Sequence, residues 1–294
     1  MEQMNIHTIF LNNNFMDILV TCLPIILGVF GCIVGSFLNV VALRQGTEKD
    51  LGGRSHCPKC HHQLSWYELI PVISFLLQAG KCRNCKKPIS FQYIAVELFT
   101  GILFYLGANF FVSSVSFIVH PVWFFVQLFS LVFLMSYLVL IIVYDIRTKQ
   151  VPFIWFIFLV MWSLVYLGIS YVTSGFSFGL YDIWFHGSGI IIAFPFFIIW
   201  LVSKGRWMGF ADIEIITWIG IFLGIYKGAS ATLIAFYAGA FFAILFILFK
   251  LSKGQSYETI RKIHIPFTPF LLLAWFLTFV FSLDIFSLLS GLFM

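Results

Sequence analysis

Charge is what this chain has least of: Asp, Glu, Lys and Arg together supply 10% of its 294 residues, against roughly a quarter in an ordinary soluble protein. With 61% hydrophobic residues, 38 Phe and a mean hydropathy of +1.01, there is too little polar surface to clothe a globule in water. A soluble enzyme is excluded, and lipid must be the main solvent. The net charge of +5 comes from basic residues scattered among apolar runs, which argues against a nucleic-acid-binding face. There is no Gly-rich phosphate loop, low-complexity tract, Pro/Ser-rich linker or repeat. Met1 to Asp17 contains no Lys or Arg, and no small-residue cleavage site follows, so the first apolar run reads as a retained span and not as a cleaved signal.

Runs of about 20 mostly apolar residues, enough to cross a bilayer, lie near 18–43, 91–112, 122–144, 151–173, 185–203, 211–226, 229–250 and 267–292. They predict an all-α polytopic membrane protein with about eight transmembrane helices. If the N-terminus is outside, every Lys and Arg except Lys227 falls in an inner loop, so the positive-inside rule predicts N-out, C-out. The expected organisation is a first helix (1–43), a cytoplasmic module (44–90) and a membrane domain (91–294).

Residues 44–90 carry eight basic and three acidic residues, a balance suited to lying on anionic lipid. Within them Trp66 to Leu77 is apolar but too short to span, and reads as an interfacial or re-entrant stretch. Cys57 and Cys60, then Cys82 and Cys85, form two CxxC pairs separated by 21 residues. That is the spacing of a zinc ribbon, one residue longer than usual. Metal binding worth roughly 10–16 kcal/mol would fold a loop too short to build its own core. An iron–sulfur cluster or two redox dithiols are the competing readings. Four thiolates leave no open position for water, so the ion should be structural and any chemistry must lie elsewhere. His56, His61 and His62 read as solvated, and Cys22 and Cys32 as small packing residues of the first span.

Ionisable residues in spans cost roughly 2.5–3.5 kcal/mol at the centre, so each needs a reason. Asp145 ends the third span in YDIRTKQVP and Asp212 opens the sixth in MGFADIE. Both fall at the cytoplasmic interface, where two carboxyls can form an aspartic dyad: one ionised Asp activates water while its protonated partner polarises the scissile carbonyl. The plainer reading makes Asp212 an N-cap and Asp145 a partner of Arg147 or Lys149. Gly205, Gly209 and Ala211 would remove bulk around Asp212 and admit an extended peptide.

These residues resemble the type 4 prepilin peptidases, bifunctional leader peptidase/N-methyltransferases of the bacterial membrane and intramembrane aspartic proteases with a Gly-x-Gly-Asp motif. The likeness covers most of the chain: Gly35-Ser36-Phe37-Leu38-Asn39-Val40-Val41 with Arg44, the CxxC module with Trp66-Tyr67 and Ile70-Pro71-Val72-Ile73-Ser74-Phe75, then Ile89-Ser90, Tyr93, Glu97, Asp145 with Arg147 and Val151-Pro152, the Asp212 motif, and Pro266-Phe267-Thr268-Pro269-Phe270. The resemblance implies Asp145 and Asp212 as the catalytic pair, type IV prepilins or pseudopilins as substrates, the bacterial cytoplasmic membrane as location, and S-adenosylmethionine as methyl donor. Two departures stand out: the motif's second Gly is Ala211, and the Lys expected two residues after the Asp is Glu214. A carboxylate at 214 would bear on Asp212 or on a basic leader if it lies within several ångströms of them; a two-residue step of about 200° around a helix instead turns it away from the site.

Asn39, Arg44 and Glu97 are candidates for the methyl-transfer half by the same resemblance. Interhelical hydrogen bonding, interface anchoring and, for Glu97, pairing with Arg44 compete with that role. Gly31 and Gly35 have the GxxxG spacing of close helix packing. Two other classes of function remain open: a proton-coupled transporter relaying through the aspartates, which would need polar residues continuing to the outer face, and a noncatalytic zinc-bearing assembly scaffold, which would tolerate loss of either Asp.

Overall fold

The computed structural model describes residues 6–45, 53–114, 121–174, 179–261, 263 and 265–287. Lys49, Lys262 and the end of the run expected to reach residue 292 lie outside them. Regular structure among the described residues is helical: α1 Ile6–Arg44, α2 Ile73–Leu77, α3 Phe91–Ser114, α4 Pro121–Thr148, α5 Phe153–Ser174, α6 Leu180–Ser203, α7 Phe210–Ser252, α8 Tyr257–Arg261 and α9 Thr268–Phe281, with a 3-10 turn at Trp66–Leu69. Long helices are the expected answer to an apolar solvent, because each satisfies its own backbone polar groups.

Among the described residues, six helices are long and apolar enough to cross a membrane: Thr21–Arg44, Phe91–Ser113, Val122–Thr148, Phe153–Val172, Leu180–Ser203 and Phe210–Ser252. The difference from eight has a physical origin. The expected runs 211–226 and 229–250 fall within the single element α7, and the eighth run yields the 14-residue α9. Yet α7 is not straight. Gly224 sits at φ 77, ψ −178 inside it. A Cβ at Gly228 would lie 3.0 Å from the Gly220 Cα, whereas eight residues of straight helix span about 12 Å. The chain therefore doubles back at Gly224, and α7 is a hairpin of two helices. Only Gly suits that turn, since the backbone is outside the reach of L side chains and a Cβ there would run into the Phe185 ring.

The chain divides into two compact units, Met1–Val143 and Tyr144–Met294. In the first, α1 and α3 pack through small residues: a Cβ at Gly31 would meet the Thr100 carbonyl at 2.7 Å, and one at Gly35 the Glu97 Cα at 3.0 Å. The GxxxG spacing thus serves close helix approach. In the second unit, α5, α6 and α9 surround the α7 hairpin. Its core is aromatic: Trp218 lies 4.9 Å from Trp275, Phe222 5.1 Å from Trp275, and Trp275 stacks on Phe279 at 5.3 Å. The buried Trp218 Nε1 donates to Ser163 Oγ at 2.7 Å, joining α7 to α5.

Near the α7 reversal, side chains of α6 take up carbonyls that the interrupted helix leaves free. His186 Nδ1 lies 2.6 Å from the Ile221 oxygen, and Ser188 Oγ donates to Gly220 at 3.3 Å. His186 Nε2 lies 3.1 Å from the Tyr171 hydroxyl, which donates to Asp182 Oδ1 at 2.8 Å. This chain of bonds ties the end of α5 to the start of α6.

Candidate active site and metal centre

Asp145 and Asp212 come together in the second unit. Asp145 lies in the last turn of α4, which closes through the Lys149 amide bonding the Asp145 carbonyl at 2.8 Å, with Lys149 in the left-handed region at φ 56. Val151-Pro152 then bars helix continuation before α5. Asp212 lies in the first turn of α7. The N-cap there is Gly209, and the Asp212 carboxylate lies beside it. Asp212 is therefore not itself the cap, but it still stands at the positive end of the helix dipole. Gly209 is the small residue beside it, its Cβ position 3.4 Å from Asp212 Oδ2. Gly205 instead forms the left-handed turn after α6 against the Trp200 indole, so its smallness serves that turn and not the approach to Asp212.

A third side chain joins them. Thr268, the first residue of α9, is 2% exposed and donates through its hydroxyl to Asp212 Oδ1 at 3.4 Å. The Asp145 carboxyl is near enough to interact electrostatically with that of Asp212. Two neighbouring buried carboxyls favour a state in which the pair shares one proton. Asp145 is 5% exposed, and its Oδ2 has no hydrogen-bond partner among the described residues.

In the first unit the four cysteines converge. Cys57 Sγ lies 3.9 Å from Cys85 Sγ and Cys60 Sγ 4.0 Å from Cys82 Sγ, and all four sulfurs lie within 4.8 Å of one another. Zn–S bonds of about 2.3 Å in a tetrahedron put sulfurs about 3.8 Å apart, so the cluster fits a zinc ion. The two knuckles are copies of one another. Cys57 N bonds His62 O and His61 N bonds Cys57 O, just as Cys82 N bonds Lys87 O and Lys86 N bonds Cys82 O, all at 2.9 Å. His61 and Lys86 take the same left-handed turn at φ 57 and 59. This internal repeat escaped the sequence reading because only the cysteines are shared. The backbone at His62 favours the Cys60 thiolate and holds that thiol below its ordinary range, whereas Cys85, though the backbone at Lys87 favours its thiolate, is pushed up to about 11 by burial and the neighbouring sulfurs. Among the described residues no histidine joins the cluster, and His62 faces Glu68 at 3.8 Å.

Comparison with known proteins decides the family. Residues 29–111 match the Bacterial Peptidase A24 N-terminal domain and residues 132–244 the Type IV leader peptidase family. A Prepilin leader peptidase/N-methyltransferase of Bacillus subtilis is 30% identical over 266 residues, covering 89% of this chain and 96% of that one. The chain belongs to the type IV prepilin leader peptidase family. A relative of the same name in Xanthomonas campestris is 26% identical over 292 residues, 87% of this chain and 90% of that one. Another, in Myxococcus xanthus, is 49% identical over 82 residues, a match that spans 28% of this chain and 24% of that one. No solved structure matches.

For a member of this peptidase family, the remaining candidates are placed as follows. Asn39 is fully buried, donates to the Tyr93 carbonyl at 3.3 Å, and has an Oδ1 with no hydrogen-bond partner among the described residues. Arg44 donates to the Gly53 carbonyl at 3.0 Å. Glu97 is 7% exposed and its Oε2 accepts the Val72 amide at 2.7 Å. Glu214 is 7% exposed on α7. Thr268 was visible beforehand only as one letter of a family motif. A single Thr-Pro at a helix start carries no sign of contact with residues 56 positions away.

Proposed function

We propose that this chain is an aspartic endopeptidase of the bacterial cytoplasmic membrane that removes basic leaders from type IV prepilins or pseudopilins and then methylates the new N-terminal amine. The observation that carries the first activity is the meeting of Asp145, Asp212 and Thr268 in one unit of a chain of this family. The ionised carboxyl takes a proton from water, whose oxygen attacks the scissile carbonyl carbon. The protonated partner donates to the carbonyl oxygen, and collapse of the resulting diol breaks the C–N bond as the leaving amine takes up a proton. The scissile segment must be extended, since a helix hides its carbonyls, and Gly209 beside Asp212 leaves room for it.

Eight crossings with both termini outside accord with this reading. The reversal at Gly224 counts α7 twice, and Asp145 and Asp212 then face the cytoplasm with the basic loops. The four-cysteine module, 44–90, is an insertion between the first helix and the rest of the membrane domain. Cys57, Cys60, Cys82 and Cys85 would hold zinc, which supplies folding free energy to the module. S-adenosylmethionine would supply the methyl group. The orphan Oδ1 of Asn39 suits a donor group of such a ligand, whereas the backbone takes the carboxylate of Glu97 and a guanidinium nitrogen of Arg44.

Co-expression with a prepilin tests the reading. Wild type should shorten the prepilin by its leader, and Asp145→Asn and Asp212→Asn should not. Normal processing by either variant overturns the peptidase assignment and leaves the scaffold reading standing.

A further inference from the structure

Between the two cysteine knuckles the chain makes a turn that a valine should not make. Val72 has φ 63 and ψ −54, and the Ile73 amide bonds the Pro71 carbonyl at 2.6 Å. That is a γ-turn of the rare, strained hand, and it falls on a β-branched residue, for which positive φ is an outlier. Such conformations persist only where the surroundings over-determine them.

Part of what holds the turn is visible. The Ser74 amide bonds the Ile70 carbonyl at 3.0 Å and the Leu76 amide bonds the Val72 carbonyl at 3.1 Å, closing local turns around it. These bonds lie within the loop and do not attach it to anything. The attachment is Glu97, whose Oε2 accepts the Val72 N–H at 2.7 Å from α3, 25 positions along the chain. Glu97 is 7% exposed, and its Cα lies on the face of α3 packed against α1, 3.0 Å from the Gly35 Cβ position. A buried carboxylate on a backbone amide is a charge-assisted bond, roughly twice as strong as a neutral one. Glu97 is also six residues into α3, about 9 Å along its axis from Phe91. The loop is thus drawn down beside the helix pair at its middle, while the cysteine knuckles fix it at both ends.

We propose that Glu97 is a positioning residue: its carboxylate holds the strained Pro71-Val72-Ile73 turn, and through it the loop between the knuckles, on the α1–α3 pair. Its effect on methyl transfer passes through Val72 and not through contact with the methyl donor. The clamp itself stands on the geometry alone; the consequence for methyl transfer rests on the methyltransferase reading above.

The two are tested separately on the full-length purified protein. Hydrogen exchange over residues 66–80 reads the clamp without any activity. Glu97→Ala should raise exchange at Val72 by about ten- to hundredfold, the loss of one bond to a charged group, and Glu97→Gln, which keeps an accepting oxygen, by much less. Methyl transfer to a cleaved prepilin reads the consequence. Glu97→Ala should lower kcat with little change in KM for S-adenosylmethionine, and adding Val72→Gly, which lets the turn form without strain, should restore a large part of the rate. Glu97→Gln carries the test if Glu97→Ala fails to fold, and should retain both low exchange and transfer. Unchanged exchange in Glu97→Ala, or wild-type-like folding of Glu97→Gln with a raised KM and no rescue by Val72→Gly, overturns the proposal. A wild type that cleaves but never methylates sinks the methyltransferase reading, and the exchange data still decide the clamp.

Discussion

Thr268→Val is the most discriminating change at the aspartate pair. Threonine and valine have nearly the same shape, and residue 268 is 2% exposed, so the substitution removes a hydroxyl without opening a cavity. What is lost is the donor to Asp212 Oδ1. A hydrogen bond to a charged group is worth about 1.5–3 kcal/mol. At 3.4 Å the bond is long, as catalytic contacts often are before substrate tightens them, so the lower end of that range applies to the resting enzyme and the upper end to the transition state. Each 1.36 kcal/mol is tenfold in rate. Cleavage of a prepilin by purified Thr268→Val should therefore fall about 10- to 100-fold in kcat, well short of the loss on removing an aspartate. Thr268→Ser keeps the hydroxyl and should stay within a few-fold of wild type. Wild-type cleavage by Thr268→Val, or equal damage from Thr268→Ser, would refute the role of the hydroxyl as donor to Asp212.

Asp145→Asn and Asp212→Asn should each abolish cleavage while leaving the protein in the membrane, and the double variant should be no worse than either, because the pair acts as a unit; additive losses would separate the two residues. Purified protein should hold about one zinc per chain, released by replacing any of Cys57, Cys60, Cys82 or Cys85; elemental analysis finding iron, or no metal with all thiols free, would contradict this. Ser163→Ala should lower stability by about 1–3 kcal/mol, because it leaves the buried Trp218 Nε1 without its partner at 2.7 Å; an unshifted thermal midpoint would count against it. Glu214 stands about 200° around the helix from Asp212, so Glu214→Gln should leave the pH profile of cleavage where it is, and a displaced acidic limb would show that the third carboxylate reaches the pair.

What could be read from the sequence follows from the range over which each feature is encoded. The cysteine pairs announce themselves because metal geometry fixes their spacing, and their sulfurs converge to within 4.8 Å. The aspartates are conspicuous because a charge in an apolar span is costly, and topology alone gives them a common depth. Thr268 and Val72 carry no comparable mark. A threonine costs little anywhere in a helix, and its contact with Asp212 is made by the folding of α9 against α7. Likewise nothing in Pro71-Val72-Ile73 encodes a γ-turn. The local preference of valine opposes it, and tertiary bonding from Glu97 overrides that preference.

The same distinction accounts for Glu97 and for the reversal inside α7. Apolar composition measures only that a segment belongs in lipid. It recorded Glu97 as an anomaly without saying whether ligand, arginine or backbone would satisfy it. Length likewise does not say where a helix ends: 43 helical residues amount to roughly 65 Å if straight, about twice the thickness of a bilayer core. A straight α7 would have to leave the membrane with an apolar half exposed to water. Both limbs can be covered by lipid only if the chain turns back part-way along, and Gly224 is where it does. The turn also brings Ser230 beside the residues that follow α9, its hydroxyl 3.3 Å from Asp284 Oδ1 and accepting the Ile285 amide at 3.0 Å. At the other end of α9, Thr268 meets Asp212. With its two ends bonded to the two halves of the hairpin, the 14-residue α9 has a defined place against α7, and Thr268 at its start is held beside the aspartates.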